Sequence, residues 1–192
     1  MIPSMNASSV LPPFLGSDAT ERAKMSPYEV TMEEVVQRFA LSLERVAILR
    51  GLLAYRRDLR ANGVVDGYQW LDGSFVEDVE ATRKRPPADV DIVTFSRLPV
   101  ANTSIEKTAF LRAHQPLFAP RLTKTNYKCD AYFVDLDKKP ELLVDDTRYW
   151  FGLFSHQRDT SLWKGMLKVL MQEDDTAAIA LLDHMERNLG GN

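Results

Sequence analysis

The chain has 192 residues, of which 45% are apolar and 27% charged, a composition typical of one ordinary globular domain. The single cysteine, Cys129, excludes a disulfide partner and a cysteine zinc cluster, and indicates a reducing, cytoplasmic location. The net charge of −3 disfavours proteins that bind nucleic acid through bulk positive charge. No apolar run approaches the ~18 residues of a membrane span, so no membrane association is expected.

The first 27 residues are rich in serine, proline, alanine and glycine and show no hydrophobic periodicity. We predict that residues 1–27 form an extended arm and that residues 28–192 form a single domain. The apolar residues of the arm are expected to lie along the surface of that domain: Val10, Leu11, Phe14 and Leu15.

Two helices are predicted next. Thr31 and Glu34 have the spacing of a capping box, in which each side chain satisfies a backbone donor of the first turn. Ser42 is a second N-cap candidate, and the following apolar residues recur at helical spacing up to a stop at Gly63. Gly51 lies inside this second helix, which indicates close packing against another part of the chain.

The remaining elements alternate between strands and helices. A short helix is predicted over 75–80, followed by a basic loop over 81–88. Residues 166–171 fit a strand or a helix equally well. We predict strands at 67–71, 90–95 and 128–136, and helices at about 103–113, at 140–154 and from about 175. This order predicts an α+β (mixed α/β) fold in which a small mixed sheet is flanked by helices.

The first candidate site residues are Gly73 and Ser74, where a strand ends and a helix is predicted to begin. The N-terminus of a helix offers unpaired backbone N–H groups that hold phosphate. Glycine allows close approach to the backbone, and serine adds a hydroxyl donor. An ordinary turn is the alternative interpretation of this pair.

Asp89 and Asp91 flank Val90 at the start of the next predicted strand. Alternate side chains of a strand share a face, so the two carboxylates project together. They repel each other unless a cation lies between them, and an oxygen-only ligand set favours Mg²⁺ or Mn²⁺. A solvated strand start is the alternative.

A third carboxylate, Asp130, lies near the start of an otherwise apolar predicted strand. If that strand neighbours 90–95, all three aspartates converge. Two-metal phosphoryl chemistry uses such a set, with one member free to act as a general base. Asp135 and Asp137 are rival candidates for the third acid.

The order Gly73-Ser74, Asp89-x-Asp91 and then Asp130 resembles the DNA polymerase beta-like nucleotidyltransferase superfamily. The resemblance implies a polymerase beta-type fold and a transferase that binds ATP or another nucleotide. It implies that Asp89, Asp91 and Asp130 are catalytic residues and metal ligands. The spacer before Asp89 is slightly long.

A narrower resemblance covers nearly the whole chain. It is to an uncharacterised bacterial family of small nucleotidyltransferase-like proteins. Its matching segments are LPP at 11–13, RF at 38–39, LDGSF at 71–75, DVDIV at 89–93, CDAYF at 129–133, YW at 149–150, Phe154 and WKG at 163–165.

The activity implied is transfer of a nucleotidyl group from a nucleoside triphosphate, with Mg²⁺ or Mn²⁺, to an acceptor hydroxyl on a protein, a tRNA or a small molecule. Gly73, Ser74, Arg85 and Lys164 are then candidates for binding the triphosphate. Two alternatives remain. The fold could serve as a catalytically silent binding module, for example in a defence or toxin–antitoxin pair, or the basic loop at 83–85 could bind nucleic acid.

Overall fold

The computed structural model describes residues 1–191. It contains one five-stranded mixed sheet with the order β1-β5-β2-β3-β4, flanked by helices. The strands are β1 Tyr28–Glu29, β2 Tyr68–Asp72, β3 Val90–Ser96, β4 Cys129–Asp135 and β5 Leu167–Leu170. The helices are α1 Met32–Phe39, α2 Leu43–Ala61, α3 Val79–Arg83, α4 Ser104–Ala113, α5 Gln115–Phe118, α6 Pro120–Tyr127, α7 Pro140–Phe154 and α8 Thr176–Gly190. The predicted α+β class, with a small mixed sheet flanked by helices, is confirmed.

Both predicted N-caps are present. Thr31 and Glu34 form a reciprocal capping box at the start of α1. Ser42 accepts a hydrogen bond from the backbone N–H of Arg45 at the start of α2. These bonds satisfy donors that have no partner within the helix.

Gly51 lies where α2 crosses the end of α6. A Cβ atom at this position would lie 1.8 Å from the carbonyl oxygen of Tyr127. The prediction of close packing at Gly51 is confirmed, and no larger residue fits here without moving one of the two helices.

The strands that matter for the site are β2, β3 and β4. β3 runs antiparallel to β2 and parallel to β4, while β5 pairs antiparallel with the other edge of β2. Leu71 and Ile92 point to the face covered by α2, and both are fully buried. The burial of this apolar face fixes the register of the strands, because a one-residue shift would turn it toward solvent.

One local prediction needs correction, one ambiguous segment is resolved, and three elements were not predicted. The helix predicted over 75–80 is a 3₁₀ turn, Gly73–Val76, and then the short α3, which takes in the first part of the predicted basic loop. The ambiguous segment at 166–171 contains the strand β5. Helices α5 and α6 and the two-residue β1 were not predicted, because proline and single polar turns interrupt the periodicity there.

The first segment of the chain is more deeply built into the fold than predicted. Val10 and Leu11 are fully buried rather than on the surface, whereas Leu15 is half exposed. The backbone N–H of Gly165 donates to the carbonyl of Leu11 at 2.7 Å, which ties this segment to the chain just before β5. The last residue of the domain predicted over 28–192 lies outside the described residues.

The predictions about membranes and disulfides can be compared with residues 1–191. Within that range, no helix has the length and apolar character that crossing a bilayer requires. The Cys129 thiol is buried and unpaired, as expected for a chain with one cysteine.

Candidate active site

Three carboxylates form a row across one end of strands β2, β3 and β4. Asp72, the last residue of β2, is the cross-strand partner of Asp91, and Asp91 is the partner of Asp130. Residues directly opposite each other in neighbouring strands project from the same face. Asp89 lies two residues before Asp91 and has the same parity. The predicted convergence of Asp89, Asp91 and Asp130 on one part of the sheet is therefore what the structure shows.

The row opens into a cleft of about 530 Å³. The cleft is bounded by the sheet, by the segment after β2, by α7 and by the loop that precedes β5. Six of the seven predicted site residues line it: Ser74, Arg85, Asp89, Asp91, Asp130 and Lys164. The rival acid Asp135 lies at the other end of β4, where its carboxylate is 2.5 Å from the ammonium of Lys107.

The seventh, Gly73, lies directly against Asp91. Its φ of +80° is strained for any residue with a side chain, and a Cβ atom here would lie 2.1 Å from Oδ2 of Asp91. Glycine therefore lets β2 end in a tight 3₁₀ turn beside the carboxylate. Ser74, the next residue, is partly exposed to the cleft.

A buried lysine holds this turn in place. The Nζ of Lys164 lies 3.0 Å from Oδ1 of Asp72 and 2.9 Å from Oε1 of Glu77, and it donates to the carbonyl of Gly73 at 3.2 Å. Burial alone would lower the pKa of Lys164, but the two carboxylates outweigh it and the pKa is raised. Lys164 is therefore a charged, fixed link between the two ends of the turn.

The carboxylates of the row differ in environment. Burial raises the pKa of Asp72 to about 7, against the opposing attraction of Lys164. Burial, followed by the negative charges of Asp89 and Asp130, raises the pKa of Asp91 to about 6. The cleft is thus short of positive charge at its centre, around Asp91.

One further cation reaches the row from α6. The Nζ of Lys124 lies 2.6 Å from Oδ2 of Asp89 and 3.7 Å from Oδ2 of Asp130. These two oxygens are therefore no further apart than the sum of the two distances. About half of the Lys124 side chain is exposed, whereas that of Lys164 is buried.

A buried arginine supports the turn from behind. Arg45 of α2 donates to the carbonyls of Phe75 and Glu77 at 2.7 and 2.8 Å, and its guanidinium is paired with Glu80 at 2.6 Å. Carbonyls of a short turn have few partners within the turn itself. Arg45 therefore fixes the backbone on which Ser74 is presented.

Sequence reasoning missed four residues of this site: Asp72, Glu77, Lys124 and Arg45. Of these four, only Asp72 could have been identified from the sequence. It is a carboxylate that ends an apolar strand beside a glycine, and such a group is costly to bury without a partner. The other three act through contacts made far along the chain, which local spacing does not reveal.

Comparison with protein families places the chain in a family of unknown function (DUF6932), whose match covers residues 3–170. The chain belongs to that family. Comparisons with curated proteins and with solved structures gave no match. The matched range includes the whole carboxylate row, the turn after β2 and both lysines of the cleft.

Proposed function

We propose that this protein is a metal-dependent nucleotidyltransferase with a polymerase beta-type fold. It would transfer a nucleotidyl group from a nucleoside triphosphate to an acceptor hydroxyl and release pyrophosphate. The observation that carries the proposal is the alignment of Asp91 with Asp130 across β3 and β4, beside a glycine turn that touches Asp91. The family match neither names an activity nor opposes this one.

The donor set of the cleft fits Mg²⁺ or Mn²⁺ in its chemistry. Asp89, Asp91 and Asp130 offer carboxylate oxygens only. Burial and then the negative charges of Asp89 and Asp130 raise the pKa of Asp91, and a divalent cation would relieve that repulsion. Among residues 1–191, no three acidic, histidine or cysteine side chains are arranged so that they could hold a metal ion without side-chain movement. Lys124 lies between two of the carboxylates, so metal entry requires its ammonium to move away.

A divalent ion held by Asp89, Asp91 and Asp130 would neutralise charge on the phosphates. Phosphate binding and proton transfer would be carried out by residues of the chain. The turn at Gly73 and Ser74 would bind the β- and γ-phosphates, and Asp130 would accept the proton of the acceptor hydroxyl. The acceptor oxygen then bonds to the α-phosphorus as the bond to pyrophosphate breaks.

The two remaining candidate residues take different roles. Arg85 is exposed at the edge of the cleft and is free to contact a triphosphate. Lys164 is already surrounded by Asp72, Glu77 and the Gly73 carbonyl. We therefore assign it the positioning of the phosphate-binding turn rather than contact with phosphate.

The test is transfer of label from each of the four α-³²P nucleotides, with Mn²⁺, to protein, tRNA and small-molecule fractions. Asp91→Asn should abolish transfer because it removes a ligand charge at nearly constant volume. Asp130→Asn should reduce transfer more than nucleotide binding, and Ser74→Ala should mainly weaken binding. A wild-type chain that binds no nucleotide with Mn²⁺ present would refute the proposal.

The second candidate is a catalytically silent binding module on the same fold. The position of Lys124 favours it, because an ammonium between Asp89 and Asp130 can neutralise the acidic row without metal. Nucleotide binding without transfer to any fraction would support this alternative.

A further inference from the structure

A second cavity, of about 600 Å³, adjoins the cleft. Helices α4 and α5 and the start of α6 form one side, and Trp150 of α7 forms the other. Tyr132 and Trp150 line both cavities, and their ring centroids are 4.7 Å apart. The two spaces therefore share a wall made of these two aromatic side chains.

The second cavity lies over the free edge of the sheet. β4 is the terminal strand, and its successive residues Tyr132 and Phe133 both line the cavity. Tyr132 packs on Trp150, whereas Phe133 points to the opposite face and packs on Phe118. A space that touches both faces of a sheet must cross its edge.

The backbone of β4 directs hydrogen-bonding groups into this space. The backbone carbonyl of Lys128 accepts a hydrogen bond from the N–H of Val90, and the backbone N–H of Leu136 donates to the carbonyl of Ser96. In a parallel pair, this pattern means that the backbone N–H and C=O groups of the even-numbered residues of β4 bond to β3. Those of the odd-numbered residues point away from β3, toward the open edge. Within residues 1–191, no hydrogen bond is made by the outward N–H or C=O of Phe133.

We propose that this edge groove binds an extended polypeptide, which adds a strand to β4 and supplies the acceptor hydroxyl. The outward N–H and C=O of Phe133 match an extended peptide backbone, and apolar walls such as Leu111 and Phe118 suit its alternate side chains. Among the described residues, Arg112 is the one charged residue of the lining, which does not suit a nucleic-acid backbone.

The path of the peptide follows from what covers the edge. The side chain of Thr123 in α6 takes the outward N–H of Ala131 at 3.4 Å, so the open edge begins after that residue. The peptide would leave the edge there and pass Tyr132 and Trp150 into the cleft. Asp130 lies two residues from Tyr132 on the same face, about 7 Å along the strand, within reach of a Ser, Thr or Tyr side chain.

The acceptor role rests on the proposed function and completes its chemistry. The peptide hydroxyl oxygen forms a bond to the α-phosphorus, and its proton goes to Asp130. The bond from the α-phosphorus to the bridging oxygen breaks, and pyrophosphate leaves with the electron pair. The product is a phosphodiester between the nucleotide and the side chain.

Binding is tested without nucleotide. A library of 15-residue peptides with a central Ser, Thr or Tyr is selected on the full chain, and hydrogen exchange is measured with the best binder. We expect slower exchange of the Phe133 amide. Phe133→Pro, which removes an outward N–H at an edge position that tolerates proline, and Leu111→Glu should each weaken binding at least tenfold.

Ile105→Glu is the matched control, since Ile105 is 81% exposed on the same helix as Leu111 and lies outside the lining of the groove. It should bind the peptide as the wild type does. The proposal would be overturned if no binder can be selected, if exchange slows elsewhere than in β4, or if Leu111→Glu binds the peptide as the wild type does. If Phe133→Pro does not fold, Leu111→Glu still tests the proposal.

Labelled nucleotide and Mn²⁺ are then added to the peptide complex. Label on the peptide hydroxyl supports both the acceptor site and the proposed function. Label that reaches tRNA or small molecules but not the peptide overturns the acceptor site alone. If the chain binds peptide at β4 but binds no nucleotide, the proposed function and the acceptor role are both overturned. The peptide-binding site would still stand.

Discussion

The ammonium of Lys124 lies 2.6 Å from a carboxylate oxygen of Asp89, in the place where the proposed chemistry needs a metal ion. The ion pair raises the pKa of Lys124, so the lysine stays charged in neutral buffer. Metal binding must therefore break this pair, and the affinity for metal is lowered by the free energy of breaking it.

Replacing Lys124 by methionine should tighten Mn²⁺ binding about tenfold, which corresponds to about 1.4 kcal/mol. Titration calorimetry of wild type and variant measures the change. Lys138→Met is the control, because Lys138 forms an ion pair of the same length with Asp146 and neither residue lines the cleft. Equal affinities of wild type and Lys124→Met would show that the ammonium does not compete with metal.

Lys164→Met should destabilise the fold by about 3–5 kcal/mol, because it leaves the buried Asp72 and Glu77 without their cation. Urea unfolding measures the loss. Lys168→Met removes a lysine that is paired with the exposed Glu29 and should cost less than about 1 kcal/mol. Similar losses in the two variants would contradict the role assigned to Lys164.

Gly73→Ala should cost about 2 kcal/mol or more, since a side chain is strained at positive φ and its Cβ would overlap Asp91. Nucleotide binding should be lost with it. Gly190→Ala is the matched control, because nothing lies within 4 Å of its Cβ position. Nucleotide affinity that survives Gly73→Ala would mean that the turn does not hold the phosphates.

The raised pKa of Asp91 predicts how stability depends on pH in metal-free buffer. The folded state holds a proton up to about pH 6, whereas the unfolded value is 3.8, so this group makes stability fall as pH rises between those values. Asp91→Asn should reduce that fall and be more stable than wild type by roughly 2 kcal/mol above pH 7.

Urea unfolding at pH 4.5 and pH 8 in EDTA checks this. The buried Asp72, whose pKa is also raised, remains in the variant and keeps part of the slope. Stability curves of wild type and Asp91→Asn that stay parallel across this pH range would contradict the prediction. Added Mg²⁺ should narrow the difference at pH 8, because it relieves the repulsion at Asp91.

Most of the fold could be predicted from local signals. The capping box at Thr31, the N-cap at Ser42 and the helix over 140–154 all appear as predicted. Their causes are short-range, since a cap needs only the next three residues and a helical face only its own period. The two helices that were not predicted, α5 and α6, carry too few apolar residues for a period to emerge.

The convergence of the predicted carboxylates follows from strand geometry. Asp89 and Asp91 share a face because of strand geometry alone, and Asp130 joins them because β3 and β4 are neighbours. The lysines that pair with these carboxylates could not be identified from the spacing of residues along the sequence. Lys164 lies 92 residues beyond Asp72 in the chain, and only the folded sheet brings them within 3.0 Å.

The sheet order has a consequence for synthesis on the ribosome. β5 pairs with both β1 and β2, yet it follows every other strand along the described chain. Until residues 167–170 leave the ribosome, β1 has no neighbour and one edge of β2 stays open. Pairing over such a sequence separation is slow, and unpaired edges attract other chains. A growing chain of this protein therefore carries an unpaired edge of β2 until its last strand emerges.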